Sequence, residues 1–169
     1  MSIFPTNLGW FGLLGRDQRL VSVFIGHVSE NEVRRIAERE AASADLAAPP
    51  VDRDWHPELR RRLEQYALGG RVEFNDIDVA LPGLSEFQQR VIKATRRIRY
   101  GQTLSYGELA EKAGYPRAAR GVGTVMSSNR FPIVIPCHRV VAAGGKPGGY
   151  SSPHGISLKL RLLALEAGG

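Results

Sequence analysis

Apolar runs at "WFGLL" (10–14) and "LVSVFI" (20–25) flank the polar stretch "GRDQR", a spacing that predicts two strands joined by a tight turn. Ser29-Glu30-Asn31-Glu32 then has capping-box spacing and leads into "VRRIAEREAA", where Val33, Ile36 and Ala37 share one helical face. A small-residue, Pro-containing linker follows over 42–54. Pro57 suits the first turn of a second helix, in which Leu59, Leu63, Tyr66 and Ala67 recur at helical spacing before Gly69-Gly70 stop it. The Arg60-Arg61-Arg62 run reads as its solvated face. "VEFNDIDVAL" (72–81) alternates like a further strand. Together these elements predict a small α/β domain, an antiparallel sheet with helices, over 1–80.

From 81 onward the periodicity turns helical. Ser85-Glu86-Phe87-Gln88 is another capping signature, opening a helix with Phe87, Val91 and Ala94 on one side and basic residues opposite. Ser105-Tyr106-Gly107-Glu108 repeats the device before the short helix "YGELAEKA". Gly114-Tyr115 then turns the chain into "PRAARGVGTVMSSN" (116–129), the spacing of a helix-turn-helix. In its second helix Ala118, Ala119, Val122, Val125 and Met126 should pack inward. Arg117, Arg120, Gly121, Thr124 and Ser128 are left as a small, polar, basic outer face. "FPIVI" (131–135) reads as a short buried strand, "AAGGKPGGY" as a glycine loop and "ISLKLRLLALEAGG" as a closing helix, giving a mostly α domain over 81–169.

Charge separates the two halves. Residues 1–84 hold 10 Lys+Arg against 13 Asp+Glu, whereas residues 85–169 hold 13 against 4, so the net charge of +6 belongs to the C-terminal half. A basic helical half suggests a polyanion, with nucleic acid the first candidate, because neutralising phosphates dominates such affinity. No apolar run approaches the ~18 residues of a membrane span. "MSIFPTNLGW" lacks the basic-then-apolar pattern of a signal peptide, so a cytoplasmic protein without a membrane partner is expected.

Cys137 is the sole cysteine, which removes an internal disulfide and a multi-cysteine zinc site from the functions it could serve. It lies in "IPCHRVV", between Pro136 and His138-Arg139. A lone cysteine is usually an inert core residue, but cationic neighbours lower a thiol's pKa and favour the reactive thiolate, which a core residue does not need.

That string has companions. From about Leu63 to Glu166, "LEQY", "FQQRV", "SYGELA", "AARGVG", "IPCHRVV" and a Gly-rich loop ending in Tyr150 stand in an order that resembles the O6-alkylguanine-DNA alkyltransferases (methylated-DNA-protein-cysteine methyltransferases). The first 60 residues resemble the family only in architecture, which there is an RNase H-like α/β domain. The resemblance implies DNA repair by irreversible, single-turnover transfer of an alkyl group from O6-alkylguanine, and potentially O4-alkylthymine, to Cys137. His138 would act as a base through a bridging water, Glu166 would orient it, and Asn129 would brace the active-site turn. Tyr106 would press on the phosphate turn and give a proton to the departing guanine. Arg120 would enter the duplex and hold the damaged base extruded, since a thiol cannot reach a stacked base. Arg117, Ala119, Gly121 and Thr124 would meet double-stranded DNA through the minor groove, and Met126, Val140, Tyr150 and Ser151 would line the pocket. No cofactor and no metal is implied, and a monomer is expected.

One stretch departs from the family. After Tyr150 it usually runs Ser or Ala and then two glycines, whereas here Ser151-Ser152-Pro153-His154-Gly155 is stiffer and one residue longer before Lys159. His27 and His56 lack evident partners and read as structural, His154 reads as an exposed loop residue, and Trp10 and Trp55 read as packing residues. Two other functions remain beside the leading one. The first is a non-catalytic alkyltransferase-like sensor of alkylated DNA, against which Cys137 argues. The second is a Cys-His hydrolase, for which the sequence offers no oxyanion hole.

Overall fold

The computed structural model describes residues 1–16, 19–43 and 53–168. They form two compact units, Met1–Val72 with Ile77–Ala80, and Glu73–Asp76 with Leu81 onward.

The first unit is built on an antiparallel sheet of β1 (Ser2–Thr6), β2 (Gly9–Arg16) and β3 (Arg19–His27), in the order β1-β2-β3. The β2–β3 pair realises the predicted strands, with Leu13 opposite Val23; Asp17 and Gln18 of the turn lie outside the described residues, as does most of the predicted linker. β1 was not expected from the pattern. Its register, Ser2 with Leu13 through Thr6 with Gly9, stacks Phe4 beside Phe11, both fully buried.

α1 (Glu30–Ser43) lays Val33, Ala37 and Ala41 on this sheet, and Ser29 caps it by accepting from the Glu32 N–H at 3.2 Å. Gly12 makes that approach feasible, because a Cβ there would collide with the Val33 side chain. α2 (Pro57–Ala67) buries Leu59, Leu63, Tyr66 and Ala67, the four residues predicted. Its cap corrects the expectation that His56 has no partner: Nδ1 accepts from the Leu59 N–H at 3.2 Å, a capping role that aspartate or serine more often fills. His27 Nδ1 lies 3.4 Å from Glu32 without a hydrogen bond between them. Trp55 donates from Nε1 to the Leu13 carbonyl, and Trp10 is half-buried, so both pack.

The predicted strand "VEFNDIDVAL" reduces to a single parallel bridge between Leu20 and Val79. Asn75-Asp76 turn the chain there, and Arg96 takes the Phe74 and Asn75 carbonyls at 3.0 and 2.9 Å. Those backbone groups are satisfied by a side chain instead of a ladder.

The second unit opens with α3 (Glu86–Arg96), followed by β4 (Leu104–Ser105), α4 (Tyr106–Lys112) and α5 (Ala119–Ser127). Both predicted capping boxes form reciprocally, at Ser85/Gln88 and Ser105/Glu108. β5 (Val140–Val141) pairs in parallel with β4, and α6 (Gly155–Ala167) closes the unit. Val91, Leu109, Val122, Met126, Cys137 and Val140 belong to one core. At about 1.5–3 kcal/mol per fully buried large apolar side chain, this core is the main force holding the three helices around the cysteine.

Two readings of this half need correction. "FPIVI" is a buried turn, with Ile135 N–H donating to the Phe131 carbonyl at 2.7 Å and Ile133 at φ 71°. Gly121 does not stand wholly on the outer face. A Cβ there would lie 3.0 Å from Phe87 Cζ, so its lack of a side chain admits the ring of α3.

Candidate active site

Pro136 ends the buried turn and starts a short 3-10 turn, Cys137–Arg139, which runs directly into β5. Cys137 is 6% exposed. Its sulfur faces Asn129, just beyond α5, whose Nδ2 donates to Sγ at 3.0 Å and to the Ile135 carbonyl at 2.9 Å. The Asn129 Oδ1 accepts from the Phe131 N–H at 3.1 Å, so one amide uses both ends to hold the turn and to polarise the thiol. Ile133 sits inside this loop in the left-handed region, which is strained for a β-branched residue.

The imidazole of His138 is fully buried, with Nε2 2.8 Å from Glu166 Oε1. Glu166 is supplied by α6 and is held by two further groups. Arg139 forks onto it with Nε at 3.1 and 3.0 Å from the two oxygens and Nη2 at 3.0 Å, while the Gly101 N–H donates to Oε2 at 3.0 Å. Arg139 also donates from Nη1 to the Ile98 carbonyl at 2.6 Å. Lys159, one turn into α6, is fully buried; its ammonium donates to the Val140 carbonyl at 2.6 Å and the Gly149 carbonyl at 3.3 Å, with the Tyr106 and Tyr150 rings each 5.9 Å away.

Burial dominates the electrostatics. It pushes the Cys137 thiol up, against the Asn129 bond, the Lys159 charge and the Tyr150 side chain, all of which favour the thiolate. This corrects the expectation that His138 and Arg139 acidify the thiol: both turn toward Glu166, and the helpful cation is Lys159. Burial also pushes His138 down, opposed by Glu166 and assisted by Arg139 and Lys159. Burial acts to raise the Glu166 carboxyl, but the His138 and Arg139 hydrogen bonds outweigh it and hold it well below the usual range. Burial and the neighbouring cysteine both raise the Tyr106 hydroxyl. Both shifts favour the uncharged forms, the protonated thiol and the neutral imidazole.

The structure brings Cys137, His138, Glu166, Asn129, Tyr106, Tyr150 and Lys159 together within one unit. Met126 and Val140 are buried beside the cysteine in the core, and the Met126 sulfur accepts from Thr95 at 3.8 Å. Ser151 is exposed. Arg117, Arg120 and Thr124 stand exposed along or just before α5, Arg117 with φ 73°, and Ala119 is half-buried. Lys159 escaped the residue-level reading, and Arg139 entered it only as a cation beside the thiol. Their signal was a lone cation inside an apolar run, "CHRVV" and "LKL", which a folded chain tolerates only when the charge is buried with partners. Among the described residues no group of three or more His, Cys, Asp or Glu side chains is placed to hold a metal.

Known proteins share this arrangement. A family model described as 6-O-methylguanine DNA methyltransferase, DNA binding domain, matches residues 86–168. A methylated-DNA-protein-cysteine methyltransferase from Mycolicibacterium paratuberculosis is 50% identical over 105 residues, 62% of this chain and 61% of that protein. One from Methanosarcina acetivorans is 43% identical over 114 residues, 67% of this chain and 70% of that protein. The match thus spans under two thirds of the mycobacterial relative's length. The crystal structure of Mycobacterium tuberculosis OGT in complex with DNA superimposes with a TM-score of 0.76 at 31% identity, covering 99% of this chain and 94% of that one. On the strength of these matches, the chain belongs to the O6-methylguanine DNA methyltransferase family.

Proposed function

We propose that the protein repairs DNA by moving the alkyl group of O6-alkylguanine onto Cys137, once per molecule. The observation that carries the reading is the sole cysteine held by Asn129 at 3.0 Å beside a buried His138–Glu166 pair, on a scaffold whose relatives are named for cysteine methylation. The thiol loses its proton through a bridging water to Nδ1 of His138, since Nε2 is committed to Glu166. The sulfur then forms a bond to the alkyl carbon as the carbon–O6 bond breaks, its electron pair passing to the guanine, which takes a proton from the Tyr106 hydroxyl. The thioether product has no good leaving group and no device to activate water against it, so the protein is consumed.

The partner is double-stranded DNA carrying the lesion, bound by residues 81–169. α4 and α5 act as a helix-turn-helix, with Arg117, Ala119, Gly121 and Thr124 against the minor groove and Arg120 in the vacated stack; the basic balance of this half supports that face. Met126, Val140, Tyr150 and Ser151 surround the flipped base, and the first unit is the RNase H-like half of the scaffold. The reaction needs no cofactor, and we place the protein in the cytoplasm as a monomer; among the described residues no helix is long and apolar enough to cross a membrane.

The test is intact-mass spectrometry after mixing with a duplex oligonucleotide bearing one O6-methylguanine. A gain of one methylene equivalent on Cys137, saturating at one per molecule and absent from Cys137→Ser, is expected. Binding without any gain in mass refutes transfer and favours the sensor reading.

A further inference from the structure

The buried site holds an excess of cation before any histidine is charged. Glu166 is the single carboxylate among the charged groups that face His138; the others are Arg139 on its own turn and Lys159 on α6. Arg139 is 2% exposed and spends three contacts of 3.0–3.1 Å on Glu166, covering both carboxylate oxygens. Its remaining reach fixes it to the Ile98 carbonyl, and the Tyr100 ring lies 5.8 Å from its guanidinium. A bidentate guanidinium–carboxylate pair of this kind has little net charge left to share. An imidazolium at His138 would be a third cation in a place where burying even one uncompensated charge is costly.

We propose that Arg139 is a positioning residue that neutralises Glu166, so that His138 meets the thiol as an uncharged imidazole with its proton fixed on Nε2. An ionised carboxylate can only accept, so the ring nitrogen 2.8 Å from Oε1 must donate, and Nδ1 is then the basic nitrogen. Without Arg139 the bare Glu166 charge would instead hold a proton on the imidazole. A charged ring has no lone pair to take the thiol proton, and the base would be lost at neutral pH. The inference rests on the alkyl-transfer reading only for its effect on rate; the state of the imidazole is independent of it.

The experiment is ¹⁵N NMR of the histidine rings in the full chain without DNA, with single-turnover methyl transfer followed on the same samples across pH. In the wild type, His138 should be the neutral Nε2–H tautomer at neutral pH; an imidazolium there overturns the proposal. In Arg139→Met, the imidazolium should appear at neutral pH and transfer should slow by roughly tenfold, recovering as pH rises, because loss of a general base forfeits at least that factor. An unchanged tautomer and an unchanged pH profile in a folded Arg139→Met protein overturn it equally. If that variant does not fold, Arg139→Lys replaces it: the cation is retained, so His138 should remain neutral, and a charged ring sinks the proposal. Failure of the wild type to accept any methyl group would refute the repair reading while the ring nitrogen shifts still decide this one.

Discussion

Replacing Asn129 with alanine removes the amide that ties thiol and turn together, and its cost can be built from the geometry. Three hydrogen bonds are lost, to Ile135, to Cys137 and from Phe131. At about 1 kcal/mol net each they amount to about 3 kcal/mol. Phe131 is 2% exposed, so its freed N–H cannot readily turn to water, which adds to the cost, while the Ile135 carbonyl keeps the Cys137 N–H at 2.7 Å. Relaxation of Ile133 from its left-handed conformation offsets part of this, by up to about 1–3 kcal/mol. The expected net loss is about 2–4 kcal/mol, a large share of the roughly 5–15 kcal/mol that a typical domain possesses. Urea unfolding followed by far-UV circular dichroism measures it, and the rate of thiol modification by iodoacetamide reports the sulfur. Asn129→Asp is the informative companion. It retains the acceptor for Phe131 but loses both donors and sets a carboxylate beside the sulfur, so its thiol should react more slowly than that of Asn129→Ala. A loss of stability below about 0.5 kcal/mol, the level of an ordinary surface change, would refute the bracing role. Equal thiol reactivity in wild type and both variants would refute the polarising one.

Acid should weaken the fold in two stages. Burial holds His138 below its ordinary 6.5, so as pH falls through that value the unfolded chain binds a proton that the folded chain refuses, and stability declines. Glu166, whose hydrogen bonds from His138 and Arg139 outweigh its burial, contributes stability above the ordinary 4.5 that is lost further down. Urea midpoints measured across this range should be flat above neutrality and fall below it; no fall on passing below 6.5 would contradict a buried neutral His138. Arg120→Ala should impair repair of duplex DNA by far more than reaction with free O6-alkylguanine, because only the duplex requires an extruded base to be held out. Equal losses in the two rate measurements would remove Arg120 from that role.

Local rules carried the helices and failed where tertiary partners decide. The Ser-x-x-Gln and Ser-x-x-Glu boxes at 85 and 105, and the apolar spacing of 59, 63, 66 and 67, depend on neighbours within one turn, and all formed as read. "FPIVI" and "VEFNDIDVAL" have the composition of strands, yet the first closes its own turn and the backbone of the second is met by Arg96 and by Leu20 of β3. β1 was hidden because Pro5 interrupts its alternation, a residue tolerated on a sheet edge. Cys137 and His138 stood out through adjacency in the chain and through the resemblance. That Arg139 and Lys159 are buried beside them was not legible, since pairing across 27 residues to Glu166 and across 19 to Val140 leaves no local periodicity. Gly121 misled for the same reason: its neighbour is Phe87 on another helix.

Glu166 enters the site 28 residues after His138 in the chain. During synthesis the thiol and its histidine are therefore joined to the chain before the carboxylate that fixes the imidazole, which comes with α6 after the other described helices. A partly made chain has a cysteine but no assembled base. Under the proposed transfer, the arrangement separates possession of the acceptor from readiness to use it, so a chain that stalled within α6 would carry the nucleophile unarmed.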